Sequence, residues 1–453
     1  MVEAERAQKS EIRSGILKCL MVTLLILVGV NIRYSMIAAA AFACIFILTA
    51  KPNEMLGMLV YFLSFATVFK LSPGGYTLFN FLIIAAIFRY FIVLRTIRLD
   101  KNFVIMVFVF ALFVLLSGGT RTISELVKIL MYFFLLHIIF QQGDDVDLRM
   151  LLFFFSLGII LSSLSALFSD RIPGLEKFME IRDYRVGDEH IVRFGGLRSN
   201  SNYYTMPITI ALSCLAGLAI TKKAGLREYA LIIILLGFGM SSISLSFLVS
   251  CICILLTVIF YLSRMSIKKL IFGLLCILLL FLIVYIVAGK EYVLSYIARI
   301  SEKDLSSSSD LTTGRADLWR LFAQYLGANL KVLLFGQGLG AAFFRSNPHN
   351  TYLEALYYIG VVGLVLYALI IYFLFPRKHV KRNLVNYLPL LIFVIRGVAI
   401  SYFLDEFIYF YILFFKLIMD KEISLSKKST LFEGTADNRV FNDSVLSTGQ
   451  FKE

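Results

Sequence analysis

The chain has 453 residues, of which 59% are hydrophobic and only 16% charged, with a formal net charge of +14 and a mean hydropathy of +0.83. A soluble globular protein carries about a quarter charged residues, so the composition excludes that class and indicates a polytopic membrane protein. The basic residues sit in short loops between apolar runs, which is the positive-inside pattern and excludes a nucleic-acid surface.

The first apolar run, from Ile16, has no small-residue cleavage site and leads straight into further hydrophobic segments, so it does not read as a cleaved signal peptide. A bilayer crossing needs roughly 20 apolar residues, fewer where protein caps the helix ends. The runs predict helices over 16–32, 34–50, 55–70, 76–94, 102–117, 123–140, 150–168, 202–221, 228–241, 246–262, 269–289, 351–375, 384–400 and 402–418. The predicted fold class is an all-α polytopic membrane protein with about 14 transmembrane helices and two longer periplasmic loops.

Charge fixes the expected sidedness. The basic loops Arg95–Lys101, Lys222–Arg227, Arg264–Lys269 and Arg377–Arg382 are predicted to be cytoplasmic. The run 228–262 separates two of them and must cross an even number of times, which two short helices with a turn at Ser241–Ser246 satisfy. The same reasoning splits 384–418. The loop Gln141–Arg149 is acidic, yet parity places it inside. Two longer polar segments, 169–201 and 290–350, then fall on the external face as loops packed on a membrane domain spanning 1–420. The tail 421–453 reads as a disordered cytoplasmic extension. No tandem repeat or inverted symmetry is visible, which counts against a transporter.

The six cysteines, Cys19, Cys44, Cys214, Cys251, Cys253 and Cys276, all lie in apolar runs and form no CxxC. The four histidines, His137, His190, His349 and His379, are too far apart in sequence for a ligand pair. Neither a disulfide framework nor a metal site is predicted, and no cofactor. His137 reads as a buried helix residue and His379 as a solvated loop residue.

Candidate chemistry gathers in the two polar segments. From Arg315, RADLWRLFAQYL has apolar residues at 318, 319, 322, 325 and 326, the spacing of an amphipathic helix with Trp319 at headgroup level. Arg315 stands on the unfavourable side of that helix's dipole. It is either a surface charge or a group held for an anionic ligand. The glycines of Phe335–Gly340 lack the strand and the Lys-Ser/Thr of a P-loop, and read as a flexible turn bringing backbone close to the site. Arg345 follows in the same loop. Thr351-x-x-Glu354 before an apolar run is a capping-box pattern, which places His349 just ahead of a helix N-terminus. The dipole there favours neutral imidazole, so His349 is either a general base or a cap that holds the loop. Arg185, Arg193 and Arg198 suit bidentate phosphate recognition, or pair with the six acidic residues of 169–201. Asp405 and Glu406 either line the external mouth and pair with Arg396 or mark a turn.

Three blocks, RFGGLRSNSN (193–202), TTGRADLW (312–319) and GQGLGAAFFRSNPHNTYLEALYYIGVVG (336–363), resemble the bacterial O-antigen polymerase and O-antigen ligase superfamily. The similarity covers the second half of the chain, and the first half matches only as a helix array. The resemblance implies glycosyl transfer from an undecaprenyl-diphosphate-linked oligosaccharide at the periplasmic face of the inner membrane, without a nucleotide cofactor. Membrane lipids and a chain-length regulator protein are the further partners implied. The family's loop arginines and His-Asn motif correspond to Arg193, Arg315, His349 and Asn350, and Arg185-x10-Gly196 resembles an arginine–glycine spacing of polymerase loops. Two departures stand out: family members often carry an arginine in the serine-rich turn, where SSISLS has none, and an acidic residue where Tyr358 stands.

The expected reaction is metal-independent inverting transfer. Arg193 and Arg315 neutralise the leaving diphosphate. Arg198 and Arg345 assist, Arg185, Asn350 and Trp319 contact substrate, and His349 takes the acceptor proton. A polymerase, whose acceptor is a lipid-linked repeat unit, is favoured over a ligase acting on lipid A core. A flippase would carry its charges within mid-membrane helices instead.

Overall fold

The computed structural model describes residues 2–418 apart from 73–74, 94–98, 119–120, 143–145, 180–181, 187–188, 199, 221–223, 264–270, 272–274, 276–313 and 375–383. The expected span 269–289 and the tail 421–453 therefore lie outside the described residues, as do His379, Cys276 and the start of the second polar segment.

The architecture is helical. In chain order the helices are α1 (Val2–Gly29), α2 (Arg33–Thr49), α3 (Pro52–Leu63), α4 (Phe79–Val93), α5 (Lys101–Ser117), α6 (Thr122–Gln142), α7 (Leu148–Leu167), α8 (Ser201–Ile220), α9 (Leu226–Met240) and α10 (Leu245–Ser263). After the undescribed stretch come α11 (Arg315–Ala328), α12 (Leu330–Phe335), α13 (Thr351–Leu374) and α14 (Leu388–Ala399), then α15 (Phe407–Ile418). Among the described residues, five helices are long and apolar enough to cross a membrane: Ser10–Gly29, Thr122–Gln141, Leu148–Leu167, Ser201–Ile220 and Thr351–Leu374. With the shorter apolar helices beside them, they give the chain the build of a multi-pass membrane protein.

Local chemistry sets several helix starts. The Asp100 carboxylate accepts from Asn102 N and Phe103 N at 2.8 and 3.0 Å and caps α5. Asp147 caps α7 in the same way, and Pro52 stands in the first turn of α3, where its missing N–H goes unneeded. Helix α3 is buried from Glu54 to Leu63 and runs through the middle of the bundle. It packs on α7, where Gly158 lies so close to Tyr61 that an added Cβ would stand 2.4 Å from the Tyr61 carbonyl oxygen. Small residues at such crossings let membrane helices approach closely. On the outside, Phe81, Phe88, Phe108 and Leu112 of α4 and α5 are exposed, as side chains facing lipid are.

The loops sort onto two ends. Loops expected outside bond to one another: Thr67 Oγ1 donates to Leu197 O (3.1 Å), Thr122 Oγ1 to Leu339 O (3.3 Å) and Lys128 Nζ to Leu404 O (2.7 Å). Loops expected inside do likewise, with Asp147 N donating to Asn53 Oδ1 (2.9 Å), Arg89 Nε to Ala50 O (2.9 Å) and Lys51 to Glu11. The acidic Gln141–Arg149 loop, through Asp147, falls with the inner set.

Four features differ from the sequence expectations. The run 55–70 is helical only to Leu63; single turns follow, and Lys70 pairs with Thr77 in an isolated bridge. The last two runs give α14 and α15, with 400–406 between them non-helical. The first polar segment holds a two-stranded antiparallel ribbon, β1 (Arg182–Val186) and β2 (Glu189–Arg193), which departs from an all-α chain and sets Arg185 opposite His190 in register. The last difference is in α13, which is broken at Gly360, whose φ of 61° leaves the helical region. The break frees carbonyls that a glycine loop satisfies, Gln337 N and Gly338 N donating to Tyr357 O and Tyr358 O at 2.8 and 3.0 Å. Backbone meets backbone there. A Cβ on Gly336 would stand 2.3 Å from Tyr358 O, and one on Gly360 would stand 2.5 Å from Leu334 C. The glycines of 335–340 thus serve a close approach, but to α13 itself.

Candidate functional site

The non-helical strap 400–406, ISYFLDE, organises one end of the bundle. Its backbone is buried at Ile400, Ser401, Tyr402 and Phe403 and cannot rely on water. Side chains from two other helices, α13 and α8, supply the missing partners. Thr351 Oγ1 donates to Ile400 O (2.6 Å) and accepts from Tyr402 N (3.2 Å). Glu354 accepts from Phe403 N (2.9 Å), and Tyr203 donates to Ser401 O. Asp405 closes the strap by accepting from Phe407 N (3.0 Å), which caps α15.

The three sequence blocks meet on this strap. Arg315 Nη1 donates to Ala399 O at 2.8 Å, the carbonyl that ends α14. A cation is favoured at a helix C-terminus, which offsets the unfavourable position of Arg315 at the start of its own helix. Two residues on, Ser401 Oγ donates to Asn347 Oδ1 (2.5 Å) and accepts from Asn350 N (3.1 Å). Between those asparagines, His349 is half-buried, its N–H donates to Asn347 Oδ1 (2.8 Å), and its φ is 48°. A non-glycine residue in the left-handed region carries strain of about 1–3 kcal/mol, and such strain concentrates at functional positions. Trp319 Nε1 donates to Pro348 O (2.9 Å), so the amphipathic α11 clamps the loop that carries His349.

The first block arrives through two guanidinium groups, one half-buried and one buried. Arg193 donates to Ser201 Oγ and to Ser242 O. Arg396, 1% exposed, donates to Asn202 O, Thr205 Oγ1 and Ser246 Oγ. Ser244 and Ser246 in turn donate to Asn202 Oδ1 at 2.6 and 3.0 Å. The serine turn that lacks an arginine of its own therefore receives guanidinium groups from β2 and α14.

The far side of the strap borders a cavity of about 550 Å³. Lys70, Lys128 and Arg198 line it, with Glu125, Asp405 and Glu406. Arg198 pairs with Asp405 at 3.1 Å and lies 4.1 Å from the centre of the Phe407 ring. Lys128 pairs with Glu125 at 2.7 Å and approaches Glu406 at 3.8 Å. Burial pushes the Glu406 carboxyl up, against the pull of Lys128, and burial holds the Lys70 ammonium below its ordinary value. Ser401 and Asp405 are four residues apart, so this cavity and the His349 loop are joined by at most roughly 14 Å of chain.

Several expected roles change. The capping box at Thr351 does not form, because Asn350 takes the position: its Oδ1 accepts from Tyr352 N and Leu353 N at 3.0 and 3.1 Å. Thr351 and Glu354 are thereby released to hold the strap. Asp405 and Glu406 line a cavity as one expectation had it, but they pair with Arg198 and Lys128, while Arg396 turns to the serine turn. Arg345 is exposed in the loop ahead of His349 and joins none of the strap's bonds described above. Tyr358 gives its carbonyl to the glycine loop. His137, buried and stacked 4.1 Å from Phe103, accepts from Asp100 N as a structural residue.

Sequence reasoning passed over Lys70, Lys128 and Glu125. A signal for two of them was present: Glu125 and Lys128 lie within the first two turns of α6, and an ionisable group in a membrane helix marks function by default. Nothing local marks Lys70 or Asn347. No family model matches the chain, and neither curated proteins nor solved structures gave a match, so the likeness to the polymerase and ligase superfamily rests on the three motif blocks.

Proposed function

We propose that the protein is a polysaccharide repeat-unit polymerase of the O-antigen polymerase and ligase superfamily. It crosses the bacterial inner membrane fourteen times, with the strap end facing the periplasm. It transfers an undecaprenyl-diphosphate-linked glycan to a lipid-linked repeat unit. One observation carries this reading: blocks 193–202, 312–319 and 336–363, far apart in sequence and the bearers of the resemblance, are tied to one short stretch around residues 396–405.

The residues present suit the chemistry. An acceptor hydroxyl attacks the anomeric carbon as the bond from that carbon to the diphosphate oxygen breaks. The diphosphate leaves with the bonding pair, and cationic groups must neutralise it. Arg193 and Arg315 fill that role, with Arg198 on the cavity side. The proton of the acceptor passes to the His349 imidazole, which stands just ahead of the N-terminus of α13. Asn350 and Trp319 hold the loop in place.

His349→Gln tests the assignment. A general base contributes about 10²–10⁴-fold, so cells carrying the variant should hold near-normal amounts of the protein yet make little or no polymer. Normal chain length and yield in that variant would remove His349 from the chemistry. Loss of glycan from lipid A core, with free polymer still made, would indicate the ligase instead.

A further inference from the structure

The cavity bordered by Asp405 and Glu406 has a composition that the transfer chemistry does not use. Its volume, about 550 Å³, lies within the range of small-ligand sites. Two of its cations are committed: Arg198 to Asp405 and to the Phe407 face, Lys128 to Glu125 and to Leu404 O. Lys70 is different. It is half-buried, it lines the cavity, and its ammonium forms no ion pair among the described residues. Glu406 and Asp405 act on this ammonium from beyond ion-pair contact, and a partly desolvated ammonium that no carboxylate touches is a ready partner for an anion.

The wall around it narrows the choice. Glu125, Asp405 and Glu406 would repel a bare multivalent anion such as phosphate, and they are acceptors suited to hydroxyl groups. Asn80 adds an amide. At the rim Tyr76 is 71% exposed, a free ring face of the kind that packs on a sugar. One negative charge for Lys70 and several hydroxyls for the carboxylates describe a carboxylated sugar.

We propose that this cavity binds a uronic-acid-type residue of the glycan, its carboxylate on Lys70 and its hydroxyls on Asp405, Glu406 and Asn80. This rests on the polymerase reading for the source of the sugar, and it makes the cavity the place where the glycan's identity is read, beside the His349 loop.

The test uses the full chain in lipid nanodiscs and saturation-transfer NMR. The probes are the methyl glycosides of glucuronic and galacturonic acid, methyl glucoside and glucose 1-phosphate. At least one uronide should bind, and methyl glucoside should not. Lys70→Gln should weaken that binding by about tenfold or more, the loss of one charge-assisted bond, and Lys70→Arg should recover much of it. His349→Gln should leave it unchanged. Binding of no uronide, equal binding of the neutral glucoside, stronger binding of the phosphosugar, or indifference to Lys70→Gln would each overturn the proposal. The two readings fail separately: uronide binding that depends on Lys70, with polymer still made by His349→Gln, would leave the cavity standing and remove the base.

Discussion

The two ends of this helix bundle treat backbone differently. At the end expected inside, helices start by rule, with Asp100 and Asp147 as caps and Pro52 in a first turn. Charges there pair both at the surface, as Lys51 does with Glu11, and in the interior, as Lys18 does with the buried Glu54. At the strap end the rules are broken: α13 is interrupted at Gly360, His349 and Ile243 have positive φ, and a non-helical strap lies buried. Its charges are buried as well, Arg198 being 8% exposed in its side chain where it meets Asp405. Irregular backbone in a membrane protein is tolerated only where protein or a cavity satisfies it. One end is therefore regular, and the other holds buried irregular backbone satisfied by side chains.

The largest effect that would break this comparison comes from the interruption in α13. Gly360→Val places a β-branched residue at positive φ, with its Cβ about where Leu334 backbone already lies. Strain and overlap together should cost upwards of about 3 kcal/mol, and folded protein should be largely lost from membranes on size-exclusion profiles. A well-folded Gly360→Val would mean that the break is not needed.

Matched cap deletions sharpen the contrast. Asn350→Ala and Asp147→Ala each remove a side chain that accepts from two backbone N–H groups at a helix start. Each should lower stability by about 1 kcal/mol, read as a similar drop in melting temperature in detergent. Only Asn350→Ala should also depress polymer yield, because it holds the loop of His349. Equal activity of the two variants would deny the strap end its special role. The smallest effect is expected at the inner surface, where Lys51→Ala should leave both melting temperature and polymer unchanged, since exposed pairs contribute little.

Legibility in the sequence follows the same division. The apolar runs disclosed the apolar helices among the described residues, and the pattern from Arg315 disclosed α11 with Phe322 and Leu326 buried. Of the candidates, His349 and Asn350 are linked through Asn347 and Ser401, and Arg315 bonds Ala399 two residues before that serine, while Arg193 bonds Ser201 and Ser242 instead. What stayed hidden was tertiary. Thr351-x-x-Glu354 satisfies a local capping pattern, yet both side chains are drawn to a strap about fifty residues away. The cavity joins residues from 66 to 406, and no window of sequence shows Lys70 beside Arg198. The interruption at Gly360 leaves no mark in hydropathy, because the residues on both sides remain apolar.

A glycan delivered on undecaprenyl diphosphate reaches this site only if the strap end faces outward. Cysteine labelling in intact cells tests that directly, using a chain freed of its native cysteines and a thiol reagent that does not cross the inner membrane. Tyr76→Cys, at the exposed rim of the cavity, should label in intact cells, and Lys51→Cys, at the opposite end, only after the inner membrane is permeabilised. The reverse pattern would contradict the account and place the strap, the His349 loop and the cavity in the cytoplasm.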